Sequence, residues 1–104
     1  MDIILVIDDN FVAANKKFKL TLTEPEMEFE AWTIDRDETQ EIFCLFKSDK
    51  LSFDNMLHEL MHVIMAICKL KGIKPDCKND EPLAYLQGYV GNEILKFREE
   101  YLKK

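Results

Sequence analysis

Apolar and polar positions change period once along this chain, near Lys47. Before that point the period is two. Ile3 to Ile7 is a β-branched apolar run closed by the turn signal Asp8-Asp9-Asn10. Phe18 to Thr23 alternates apolar with polar, as a half-buried strand does. Glu28 to Ile34 alternates again, with Phe29 and Ala31 on one side, Thr33 in phase with them, and Trp32 and Ile34 on the other. The acidic stretch Asp35 to Glu41 separates it from a last strand, Glu41 to Lys47. Three or four strands in this order predict a small antiparallel meander.

After Lys47 the pattern is helical. Ser52 to Leu70 has apolar residues on nearly every turn and neither glycine nor proline. Ser52 or Asp54 is suited to cap its start, and Gly72 with Pro75 stops it. Its apolar positions cover most of the circumference, which predicts burial between other elements. Met56, Met61 and Met65 read as core, and Cys44 and Cys68 as small buried hydrophobes. A polar loop, Lys74 to Asp80, leads to Asn79 or Asp80 as helix start with Glu81-Pro82 in the first turn. The second helix should run from about Glu81 to Tyr101, with Leu83, Leu86, Val90, Ile94 and Phe97 as its apolar stripe. The fold class expected is α+β: an antiparallel sheet followed by two packed helices, in a single domain over residues 1–104.

Composition narrows the function classes. A chain of 104 residues that is 47% hydrophobic and 33% charged suits one globular core and argues against extended disorder. A formal net charge of -6 gives no electrostatic footprint for nucleic acid. The apolar run at the start has no basic residues before it and is too short for a signal or membrane segment, so a cytoplasmic, membrane-free protein is expected. Cys44, Cys68 and Cys77 are an odd set with no CxxC pair, which suggests neither a disulfide framework nor a thiolate zinc site.

Both histidines fall in one pentapeptide, His58-Glu59-Leu60-Met61-His62, the HExxH pattern of zinc peptidase sites. On a helix, His58 and His62 project from one face and can offer ring nitrogens to one metal at about 2.0 to 2.1 Å. Glu59 is then the general base for a water. A catalytic zinc ordinarily has a third protein ligand. Glu81, at the head of the next helix, is the first choice, with Asp80 and Asp76 as rivals and Cys77 as a weaker one. Tyr85, or Tyr89, is a candidate oxyanion donor, although tyrosines at helical spacing are more often ordinary packing. The strand Glu41 to Lys47 is a candidate edge on which an extended peptide could pair. The plain alternative is a fortuitous motif. Against it, unligated polar groups on an apolar helix would each cost roughly 1 to 3 kcal/mol.

Leu57 to His62, then Gly72-Ile73-Lys74, then Asn79 to Tyr89 together resemble the small zinc-peptidase-like proteins of bacteriophages and prophages, which are similar in outline to minimal gluzincins. The resemblance covers roughly Lys47 to Phe97. It implies His58, His62 and Glu81 as zinc ligands and Glu59 as catalytic base. It further implies a zinc-dependent peptidase acting on a peptide or protein in a host cytoplasm. A non-catalytic, zinc-stabilised protein-binding module is the expectation that competes with it.

Overall fold

The computed structural model describes residues 1–22 and 30–104. Strand β1 is Asp2–Asp8, helix α1 Val12–Phe18, strand β2 Ala31–Arg36, strand β3 Glu41–Lys47, helix α2 Phe53–Lys71 and helix α3 Asp80–Leu102. A single 3₁₀ turn, Cys77–Asn79, leads into α3. The α+β class is as expected, but the sheet is mixed. Its order is β1-β3-β2, with β1 parallel and β2 antiparallel to β3. The long β1–β2 connection explains the difference from a meander: it contains a helix and is long enough to carry the chain across β3.

The alternation at Phe18 to Thr23 does not mark a strand. Phe18 ends α1, Lys19 caps it in the left-handed region at φ 53°, and Thr21 is also left-handed at φ 58°. Leu20 is nevertheless buried and Leu22 packs on the same cluster, so the period-two apolar positions serve an irregular segment lying on the sheet. Asn15 fixes it, its Oδ1 accepting from the Leu22 N–H at 2.9 Å. Thr23, Glu28 and Phe29, which the strand expectations included, lie outside the described residues.

Each face of the sheet has its own cluster. Ile42, Cys44 and Phe46 pack with Met56, Leu60, Val63 and Ile67 of α2 and Val90 and Ile94 of α3. Phe43 and Leu45 pack on the opposite face with Phe11 and Leu20. β3 is thus buried on both faces as well as paired on both edges, and its reading as an edge strand is corrected. Its place in the centre follows from composition, since Ile42 to Phe46 is an unbroken apolar run that suits burial on two faces. The two edges of the sheet belong to β1 and β2.

Helix α2 begins and ends as its sequence dictates. The Ser52 hydroxyl accepts from the Asn55 N–H, and Gly72 adopts φ 67° with its N–H on the Cys68 carbonyl. Arg98 Nε donates to the Leu51 carbonyl at 2.8 Å, tying the C-terminal half of α3 to the start of α2. The helices approach closely at Gly91, where a Cβ would stand 3.3 Å from Leu60 Cδ2. Among the described residues, no helix is long and apolar enough to cross a membrane.

Candidate metal centre

The central half of α2 divides its faces sharply. Met56, Glu59, Leu60, Val63 and Ile67 are buried, while Leu57, Met61 and Met65 are 60%, 55% and 45% exposed. The expectation of a helix buried all round is therefore corrected. Met61 and Met65 are not core, because α2 lies on the surface of the sheet with α3 covering one flank only. His58 and His62 are also exposed. Of the three polar residues in the motif only Glu59 is buried, at 5%, so the cost of burying an unligated polar group falls on this carboxylate alone.

The four-residue helical spacing brings His58 Nε2 and His62 Nε2 to 3.2 Å from one another. Glu59 Oε2 lies 3.9 Å from His58 Nε2. One ligand atom from each of the three residues falls within 4.8 Å of the others, so the group could hold a metal ion. Tetrahedral ligands at about 2.0 to 2.1 Å from a metal stand roughly 3.4 Å apart, and the observed separations bracket that value. A hydrogen bond between the two rings needs a proton on one Nε2 and a lone pair on the other, and the tautomer decides which ring donates. A bound metal would instead take the lone pairs of both Nε2 atoms, leaving the protons on Nδ1.

Glu59 is held from the sheet. Thr33, on the outer strand β2, donates its hydroxyl to Glu59 Oε1 at 2.6 Å. Cys44 lies opposite Thr33 in the β2–β3 register. Its thiol is pushed from 9.0 to about 12, first by burial and then by the negative charge of Glu59, with the Thr33 hydroxyl acting in the opposite direction. Ala31, Trp32 and Thr33 form one side of a cleft of about 360 Å³, and His58, Glu59 and His62 form the other.

This placement separates the motif from the residues expected to complete it. Glu81 is exposed in the first turn of α3, and the metal-capable group among the described residues does not include it. Asp80 and Asp76 line a different groove, with Met61, Ile64 and Met65. Asp76 also caps the 3₁₀ turn, its Oδ1 accepting from the Lys78 N–H at 2.9 Å. Cys77 is exposed. Tyr85 and Tyr89 are 74% and 68% exposed and do not line the histidine cleft. The site opens toward β2, whereas α3 packs along the other flank of α2.

Sequence reasoning missed Thr33 as a site residue. The signal was its phase, because alternation put it on the same side as Ala31, the side that α2 covers. The position of β2 beside α2 could not be read without the crossover. No protein family, curated protein or solved structure matches the chain.

Proposed function

We propose that the chain is a zinc-dependent peptidase domain, with His58 and His62 as zinc ligands and Glu59 as general base. The observation that carries this reading is the 3.2 Å separation of the two Nε2 atoms in a solvent-open cleft, with a buried carboxylate oxygen 3.9 Å from one of them. The two imidazoles are borderline nitrogen donors that suit zinc, and the carboxylate beside them stands as the base rather than as a ligand. Exposure of both histidines leaves room for a water and a carbonyl, as a catalytic rather than a closed structural site requires.

Zinc at this position would lower the pKa of a water toward about 7 and polarise a scissile carbonyl. The chain's own part is positioning and proton transfer. Glu59 Oε2 accepts the proton of the attacking water and returns it to the departing amine nitrogen, while Oε1 stays on the Thr33 hydroxyl. The Lys47 N–H bonds the Glu30 carbonyl, which sets the β2–β3 alternation. By that alternation the N–H and C=O of Ala31, Thr33 and Asp35 point away from β3. Among the described residues, no strand pairs with this outer edge. An extended peptide added there would lie along the cleft that holds the histidines, which makes β2, not β3, the candidate for β-augmentation.

The exposed ridge of Leu57, Met61 and Met65 favours a second reading, a zinc-stabilised module that binds a protein without cleaving it. One experiment separates the two. Zinc-loaded protein is incubated with a mixed peptide library, and the products are identified by mass spectrometry, with chelator-treated protein and Glu59→Gln as controls. Metal-dependent cleavage that is lost in Glu59→Gln supports the peptidase. Retention of peptides without cleavage supports the binding module.

A further inference from the structure

We propose that Thr33 determines the role of Glu59, its hydroxyl holding the carboxylate as a base and keeping it out of the metal's coordination. The inference rests on the metal site proposed above. Glu59 directly follows His58, and one of its oxygens lies within reach of the same metal position. A carboxylate free to turn there would become an anionic third ligand, and a liganded oxygen is a poor base. Something must hold it back.

Thr33 is placed to do so. Its bond to Oε1, at 2.6 Å, is in the short range of charge-assisted O–H···O contacts. It comes from a strand, 26 positions away in sequence, rather than from a loop. The β-branched side chain has few rotamers, and its backbone is fixed opposite Cys44. The two carboxylate oxygens are thus differentiated: Oε1 is committed to the sheet, and Oε2 faces His58. The strand that anchors the base is also the one whose outer edge is offered to a peptide, so substrate pairing and base orientation share one element.

The test is a cobalt(II) titration of metal-free protein, read by the visible absorption that reports cobalt coordination. Wild type is compared with Thr33→Val, which keeps the branched shape without the hydroxyl, and with Thr33→Ser, which keeps the hydroxyl. Thr33→Val should bind cobalt about tenfold more tightly, the scale on which outer-shell partners alter metal affinity, with a changed absorption band. Thr33→Ser should match wild type. In a Glu59→Gln background, which has no anionic oxygen to release, Thr33→Val should change neither affinity nor spectrum. Thr33→Ala provides a second hydroxyl-free variant should Thr33→Val fold poorly. Wild-type affinity and spectrum in the hydroxyl-free variants would overturn the role of Thr33 while leaving the metal site intact. Absence of cobalt binding by folded wild-type protein would remove the metal site and this proposal together.

Discussion

His58 Nε2 and His62 Nε2 stand 3.2 Å apart on the exposed side of α2, one helical turn from each other. Two unprotonated nitrogens at that distance repel unless something positive lies between them. A proton shared between the rings meets the requirement weakly, and a divalent metal meets it well. Zinc should therefore stabilise the fold. At free zinc a hundredfold above the dissociation constant, linkage gives about 2.7 kcal/mol. In a domain of this size that raises the melting temperature by on the order of 10 °C. Calorimetry with and without chelator measures the shift. Because protons compete with the metal for both imidazoles, the gain should shrink as the solution is acidified. A zinc shift independent of pH would place the metal elsewhere.

Glu59→Gln separates binding from chemistry. The amide oxygen can still accept from the Thr33 hydroxyl, but the side chain can no longer take a proton from water. Zinc content should stay near that of wild type, and peptide hydrolysis should fall by roughly 10² to 10⁴. Full activity in this variant would remove Glu59 from the mechanism.

Glu81→Ala probes the coordination set. Glu81 lies at the start of α3, outside the group formed by His58, Glu59 and His62. Zinc affinity measured by chelator competition should be unchanged. A tenfold or greater loss would bring Glu81 into the coordination and require α3 to approach the histidine cleft.

Cys44 gives a prediction at alkaline pH. Burial, followed by the charge of Glu59, pushes its thiol from 9.0 to about 12. Between those values the folded chain holds a proton that the unfolded chain has released. Stability must therefore fall as pH rises above about 9, by up to ~1.4 kcal/mol per pH unit from this group. Lys69, raised by its hydrogen bond to Asp35 and then by the charges of Asp35 and Asp37, acts in the same direction. Denaturant titrations of wild type and Cys44→Ala from pH 8.5 to 11 isolate the thiol, since Lys69 is present in both. The slope should be shallower in the variant, and equal slopes would contradict the assignment.

Local rules made much of this fold legible. Ser52 and Gly72 bound α2 because a hydroxyl acceptor and a residue tolerant of positive φ are what helix ends need. Side chains in a strand have period two, so Ile42, Cys44 and Phe46 fall on one face of β3 and Phe43 and Leu45 on the other. The pairing partners were not legible. Whether β3 neighbours β1 depends on a crossover whose direction is not encoded in either strand. Phe18, Leu20 and Leu22 mimicked a strand because a segment lying on a sheet buries alternate residues even with left-handed Lys19 and Thr21 between them.

The site divides in the same way. His58 and His62 come together through helical spacing, so the pentapeptide was enough to point to a group that could hold a metal. Their surroundings depend on which flank of α2 meets the sheet and which meets α3. Met61 and Met65 looked like core because apolar character does not reveal whether a covering element exists. Thr33 reaches Glu59 only through tertiary placement of β2, and Glu81 was chosen on the assumption that the antiparallel helix would face the histidines.

The most direct test of the central claim is zinc per chain by elemental analysis, on protein purified without a histidine tag and reconstituted with zinc, native against His62→Ala. Near one zinc per chain in the native protein and little in the variant is the result this account predicts. Equal zinc in both, or none in either, would contradict it.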